Sequence, residues 1–185
     1  MIKKQLTECL KYNLKFPDSK NIQQRGIADK IEQACNEIIK SHFDNVLDAR
    51  SCKSIEDITI DNTYVDHKSS DISKDLKMPN MISIARLKKL DKELLYNFII
   101  YDSKKKKIIE TFVLNVYELN WDHLSIQGLG LGQLQITNME KFLESPTTAL
   151  TKQEWKARLK QESVKFCINQ QKKFAKEQEK WENWV

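Results

Sequence analysis

The fold is decided by residues 54–71, which read SIEDITIDNTYVDHKSSD. Ile58 and Ile60 alternate with polar residues, and a second alternating run begins at Thr63, so the segment predicts two short β-strands. Asp61 and Asn62 lie between them, and both residue types tolerate the backbone angles of a two-residue hairpin turn. The stretch therefore predicts an antiparallel hairpin with strands at about 54–60 and 63–69.

This hairpin brings two acidic residues together. A turn at residues 61–62 places Asp57 directly opposite Asp66, and period-two alternation puts Lys68 on the same face. Directly opposed Cβ atoms lie about 4.5–5.5 Å apart, so the two carboxylates repel unless a cation joins them. A four-residue turn would keep this shared face, whereas a three-residue turn would not. The cluster is either a chemical site or a weakly paired group of ions on a surface hairpin.

A divalent cation bound by Asp57 and Asp66 is the first of these alternatives. Hard oxygen ligands without neighbouring His or Cys favour Mg²⁺, for which Mn²⁺ can substitute. Such a cation polarises a phosphoryl oxygen and lowers the pKa of an attacking water, which Lys68 could hold or help to deprotonate. The four cysteines and three histidines are scattered without zinc-ligand spacing, so we expect free, buried thiols.

The remaining periodicities predict one α/β domain. A chain of 185 residues fits a single domain, 1–185, and the order of elements predicts a central mixed β-sheet flanked by helices. The last helix opens with a capping-box pattern, Thr151-x-x-Glu154. The other predicted elements are helices at 21–45 and from Pro79-Asn80 to about Leu90, strands at 94–101 and 108–119, and a final basic helix at about 151–182.

The hairpin resembles the PD-(D/E)XK core of Type II restriction endonucleases. Asp57 takes the first acidic position, Asp66 the second and Lys68 the lysine, and a predicted helix precedes the hairpin as in that superfamily. Glu56 stands where the motif has proline, a position that varies within the superfamily. The resemblance covers roughly 100 residues, from the helix at 21–45 through the hairpin to the following helix and strands.

This resemblance carries several expectations. It implies a restriction-endonuclease-like fold and an endodeoxyribonuclease that makes Mg²⁺-dependent, sequence-specific double-strand cuts in DNA as a homodimer, with a cognate DNA methyltransferase acting separately. It also implies a glutamate on the preceding helix that faces the metal, for which Glu32 is our choice and Glu37 the alternative. Either glutamate could equally be a solvated surface residue. The rival functions are a structure-specific repair or recombination nuclease and a non-catalytic nucleic-acid-binding module.

Two further stretches predict contacts with double-stranded DNA. Hydroxyl and basic side chains around a helix start suit phosphates, and glutamine amides can read adenine edges in the major groove. The glycines at positions 128, 130 and 132 predict positive φ or a close backbone approach, and the whole stretch could instead be a structural bend. The predicted DNA-binding residues are Ser69, Ser70, Lys74, Lys77, Asn80, Ser83, Arg86, Gln133 and Gln135.

The charge of the chain is concentrated at its end. The net charge is +5, and residues 151–185 contribute nine Lys/Arg against five Glu. This excess suits a polyanion, through Lys156, Lys160 and Lys172, or a solvated helix face. The aromatic residues Trp155, Phe166 and Trp181 could pair with a second subunit, although so sparse a stripe more often packs within one domain. Without an apolar leader or a long apolar run, we expect a cytoplasmic protein that does not bind membranes.

Overall fold

Eight strands and five helices make up the described fold. We describe a computed structural model that places residues 1–18, 24–49, 55–74, 80–128 and 132–184. The strands are β1 (Val46–Asp48), β2 (Ile58–Ile60), β3 (Thr63–Asp71), β4 (Asn80–Ser83), β5 (Glu93–Asp102), β6 (Lys107–Asn115), β7 (Leu124–Gln127) and β8 (Gln133–Ile136). The helices are α1 (Ile2–Asn13), α2 (Gln24–His42), α3 (Ile84–Lys88), α4 (Met139–Glu144) and α5 (Lys152–Glu182).

The central sheet is mixed, with strand order β1-β2-β3-β5-β6. The pairs β1–β2, β2–β3 and β5–β6 are antiparallel, whereas β3 and β5 run parallel. Helices α1 and α2 pack on one face of this sheet, and α4 and α5 lie on the other side together with a second, three-stranded sheet. The sequence prediction of an α/β fold with a mixed sheet flanked by helices is confirmed, and the second sheet was not predicted.

The hairpin register agrees with the prediction from the two-residue turn. Ile58 pairs with Val65 and Ile60 pairs with Thr63. Asp61, in the turn, has a φ of 50°, which is the left-handed conformation that aspartate tolerates. Strand β2 is shorter than the predicted 54–60, and Ser54 lies outside the described residues.

The helix predicted from Pro79-Asn80 to Leu90 is wrong in its first half. Asn80 lies in strand β4, which pairs with β8, and the helix begins only at Ile84. Ser83 is the N-cap, and its Oγ accepts a hydrogen bond of 3.4 Å from the Arg86 backbone NH. Met81 and Ile82 are buried, so this segment gains more from pairing with β8 than from an additional helical turn.

The predicted positive φ is confirmed at two of the glycines, and the predicted close approach at one of them, Gly132. Gly128 and Gly132 have φ angles of 97° and 78°. A Cβ atom at Gly132 would lie 2.7 Å from the Ile126 Cγ2 and 2.9 Å from the Phe166 Cε1. Gly132 therefore lets the β7–β8 hairpin pack directly on α5, and Gly130 lies outside the described residues.

Two hydrophobic cores sandwich the central sheet. The first joins α1 and α2 to the sheet through residues such as Ile31 and Leu95. The second lies on the opposite face and includes Phe98, Phe142 and Trp155. Trp155 and Phe166 are thus buried within their own chain and do not take the predicted role of contacts to a second subunit. No helix within the described ranges is both long and apolar enough to cross a membrane.

Candidate active site

The candidate site lies where β2 and β3 separate. Strand β2 pairs only with β3 residues up to Val65, whereas β3 continues beside β5 to Asp71. The Asp57 backbone NH makes the last hairpin bond, 2.9 Å to the Val65 carbonyl. The next donor on this edge of β3, the His67 NH, binds the Asp57 Oδ2 at 2.6 Å. The Asp57 carboxylate therefore ends the ladder and lies beside Asp66.

Asp66 and Lys68, two residues apart on the same face of β3, form a buried ion pair. The Lys68 Nζ lies 2.8 Å from the Asp66 Oδ1, and the two side chains are 16% and 11% exposed. Burial, the largest effect, and the neighbouring Asp57 together raise the pKa of Asp66 to about 7, against the opposing effect of Lys68. One ammonium group is therefore too little positive charge for the carboxylates gathered here.

Glu32 reaches this cluster from α2. The pKa of Glu32 is raised to about 7. Burial is the largest cause, repulsion from Asp57 and Asp29 adds to it, and Lys68 opposes it. Glu37 also borders the cleft, but it is exposed and accepts a hydrogen bond from Gln33 at 3.2 Å. These contacts favour Glu32 over Glu37 as the third carboxylate of the site.

The four residues open into a cleft of about 1060 Å³. Among the described residues, its wall contains seven carboxylate residues and three basic ones, so this part of the cleft attracts cations and repels a polyanion that arrives alone. Three predicted DNA-binding residues, Ser83, Arg86 and Gln133, also line it. The acidic residues are Asp29, Glu32, Glu37, Asp48, Glu56, Asp57 and Asp66, and the basic ones are Lys40, Lys68 and Arg86.

Four other predicted DNA-binding residues, Ser69, Ser70, Lys74 and Gln135, do not line the cleft. Ser70 is 3% exposed and Ser69 is half-buried, because both lie within β3 rather than in a loop before a helix. Lys74 is exposed and pairs with Asp71 at 3.8 Å. Gln135 is half-buried in β8 and lies opposite Ser125.

Two of the predicted residues lie partly or wholly outside the description. Lys77 belongs to the segment 75–79, which is outside the described residues. Asn80 is described only through its backbone, in β4 opposite Gln135. Asn80 lies in a strand and does not begin a helix, so it has no helix N-terminus with which to bind a phosphate.

A buried polar network behind the site was not predicted from the sequence. His67 points to the face opposite Asp66, where its Nδ1 lies 2.9 Å from the Asn97 Nδ2 and its Nε2 lies 3.0 Å from the Asn36 Oδ1. Because an amide nitrogen only donates, Nδ1 accepts and Nε2 carries the proton. The Thr111 Oγ1 completes the chain by donating to the Asn97 Oδ1 at 3.0 Å.

This network ties the helix bearing Glu32 to the strand bearing Asp66. Burial lowers the pKa of His67 to about 4, although Asp57 opposes the shift. A neutral His67 can therefore join α2, β3 and β5 without an uncompensated charge. The sequence did contain one signal for this network. His67 lies between Asp66 and Lys68 on a predicted strand, so alternation along the strand turns its side chain toward the core.

The donor set fits a magnesium ion better than a zinc ion. Among the described residues, no group of three or more His, Cys, Asp or Glu is placed so that it could hold a metal ion together. Magnesium is usually held by one or two carboxylates together with waters and substrate oxygens, so Asp57 and Asp66 suffice. Their excess negative charge is the property that such an ion would neutralise.

Two comparisons of the sequence with known proteins give no relative. The sequence matches no family model, and no curated protein is similar enough to count as a match. The function therefore has to be argued from the geometry of the site.

Proposed function

We propose that this chain is a Mg²⁺-dependent endodeoxyribonuclease that cuts double-stranded DNA at specific sequences, as Type II restriction endonucleases do. The observation that carries the proposal is the convergence of Asp57, Asp66 and Lys68 at the fork between β2 and β3, inside a cleft. A hairpin stabilised for its own sake would gain little from a buried Asp66 beside a half-buried Asp57, since two carboxylates share one lysine there and burying charge is costly.

Each residue has a role in hydrolysis. Asp57 and Asp66 would hold Mg²⁺, which supplies charge neutralisation at the phosphoryl group and acidifies water. The ion pair with Asp66 fixes the Lys68 ammonium in the cleft, where it donates a hydrogen bond to the attacking water. The charge of Lys68 also stabilises the negative charge that develops on the phosphoryl oxygens in the transition state.

Glu32 completes the site as a carboxylate that can exchange a proton near neutral pH. General bases work best when their pKa lies close to the working pH. We expect Glu32→Gln to slow metal-dependent cleavage, while Glu37→Gln, which alters an exposed residue of the same helix, leaves it nearly unchanged. A wild-type rate for Glu32→Gln would remove Glu32 from the site.

The order of helices and strands around the hairpin supports a restriction-endonuclease-like fold. Helix α2 precedes the hairpin, and a crossover containing α3 leads to β5, which is parallel to β3. Arg86 and Ser83 lie at the cleft wall where they can contact phosphates, and Gln133 can reach base edges. These three residues are the proposed DNA contacts.

A digest of plasmid and phage DNA with Mg²⁺ tests the function. Discrete fragments from the wild type support sequence-specific cutting. Cutting confined to branched or flapped DNA would replace it with a structure-specific nuclease. Salt-dependent binding without cutting in Mg²⁺ or Mn²⁺ would replace it with a non-catalytic nucleic-acid-binding module.

A further inference from the structure

The second half of α5 projects from the body of the protein. Every residue from Gln171 to Trp184 is exposed, although the helix continues to Glu182. This segment includes three large aromatic residues, Phe174, Trp181 and Trp184, which are 67%, 64% and 76% exposed. A protruding helix of this kind gains little stability from its own domain, and its aromatic side chains are typical of an interface.

An apolar groove borders the first half of the same helix. Its volume is about 830 Å³, and it lies between α3 and α5. Leu87 and Leu90 line one side, Leu159, Val164 and Ile168 line it from α5, and Phe174 of the projecting half also borders it. One helix thus carries both an open groove and a projecting aromatic ridge.

The charges on α5 are sorted by face and by position along the helix. At 3.6 residues per turn, the side that borders the groove carries three lysines in its first half and two glutamates in its second half. These residues are Lys152, Lys156 and Lys160, and then Glu177 and Glu182. The opposite side carries the remaining charges, which are Glu154, Arg158, Glu162, Lys165, Lys172, Lys173, Lys176, Glu179 and Lys180.

We propose that α5 pairs in antiparallel orientation with α5 of a second copy of this chain, around a two-fold axis near residue 169. This arrangement sets Lys156 against Glu182 and Lys160 against Glu177 of the other copy. It also sets the ridge of each copy, beginning at Phe174, into the groove of the other copy beside Val164. A parallel pairing would instead bring like charges together, so the charge pattern selects the antiparallel one.

The size of this surface is sufficient for a specific dimer. Burying the three aromatic side chains of both copies removes on the order of 800 Å² from water. The grooves that receive them contribute a similar area, so the total lies within the range of about 1,200–2,000 Å² that specific interfaces bury. The interface does not involve the cleft and does not depend on the proposed nuclease activity.

Charge reversal in full-length protein tests the pairing without DNA or metal. Lys156→Glu/Lys160→Glu makes both ends of the groove face acidic, and Glu177→Lys/Glu182→Lys makes both ends basic. We expect wild type to sediment as a dimer and each variant to dissociate about tenfold more readily or more. A 1:1 mixture of the two variants should form heterodimers. Reducing buffer prevents disulfides through the exposed Cys167.

A matched control changes the opposite face. Lys172→Glu/Lys176→Glu makes the same change in net charge and should leave the dimer intact, with circular dichroism confirming that all variants keep their helical content. A monomeric wild type at about 100 µM, a mixture that stays monomeric, or equal disruption by the control would each overturn the proposal. Cleavage activity of any of these proteins has no bearing on the outcome.

Discussion

The Asp57 carboxylate accepts the backbone NH of His67 at 2.6 Å, so the residue that would bind metal also ends the hairpin ladder. His67 in turn anchors the helix that bears Glu32, through Asn36 at 3.0 Å. The geometry of the site is thus fixed by two hydrogen bonds of His67. Its backbone NH binds Asp57 at the edge of β3, and its side chain binds α2. Structural and chemical roles overlap at Asp57, and substitutions can separate them.

Asp57→Asn and Asp57→Ala should differ in stability and agree in activity. Asparagine keeps an oxygen that can accept the His67 NH, whereas alanine leaves this donor without its partner. We expect Asp57→Ala to lower the free energy of unfolding by about 1–3 kcal/mol and Asp57→Asn to change it little. Both should reduce cleavage by at least about 100-fold, because neither supplies a carboxylate. Urea titrations and cleavage rates measured in parallel check this, and near-wild-type cleavage by Asp57→Asn would show that Asp57 is only structural.

Asp66→Asn should stabilise the metal-free protein as pH rises. The pKa of Asp66 is raised to about 7 in the folded state, so between about pH 4 and 7 the folded chain binds more protons than the unfolded chain. Ionisation therefore opposes folding above this window, and asparagine removes the penalty, on the order of 1 kcal/mol or more at pH 8. Thermal melts at pH 5 and pH 8 should show the variant's advantage growing with pH. A difference in melting temperature between variant and wild type that is the same at pH 5 and pH 8 would contradict the raised pKa of Asp66.

His67 should make the protein sensitive to acid. Its pKa is lowered to about 4 in the folded state, so the folded chain binds fewer protons than the unfolded one between about pH 6.5 and 4. The stability contributed by neutral His67 is present above this window and is lost as pH falls through it. We expect this loss in a Glu32→Gln/Asp66→Asn background, where those carboxylates do not titrate, and its absence after His67→Asn. Unfolding free energies measured from pH 7 to pH 4 decide the matter, and parallel curves for the two proteins would rule it out.

DNA binding should require a divalent cation. Among the described residues, the cleft wall holds seven acidic and three basic ones, and this excess of negative charge repels phosphates until a cation neutralises part of it. Calcium, a hard divalent cation that also takes carboxylate oxygens as ligands, should tighten DNA binding by about tenfold or more over EDTA in a fluorescence anisotropy titration. In Glu32→Gln/Asp66→Asn this dependence should shrink, because two carboxylates are gone. Tight wild-type binding in EDTA would place the DNA elsewhere on the protein.

The sequence predicts the local part of this structure well. The pairing of Ile58 with Val65 follows from strand alternation and a two-residue turn, both of which involve neighbouring residues. The error at Asn80 has a different origin. Strand β4 exists because it pairs with β8, about 50 residues later, and no local pattern reports such a partner.

The same difference between local and distant contacts explains how much of the arrangement around the candidate site could be predicted. Asp57, Asp66 and Lys68 lie on one hairpin and could be placed by register alone. The network around His67 joins Asn36 and Asn97, which lie on two other elements, so only the folded chain brings them together. Helix α1 was not predicted, although Leu6 and Leu10 have helical spacing and are fully buried.

The single-turnover cleavage rate of one DNA fragment at saturating Mg²⁺ tests the central claim most directly. Lys68→Ala should reduce this rate by about 10²–10⁴-fold, since it removes the ammonium group held at 2.8 Å from Asp66. Lys40→Ala is the matched control, because Lys40 also lines the cleft but pairs with Asp48, and it should change the rate less than about twofold. Equal rates for wild type and Lys68→Ala would contradict the account.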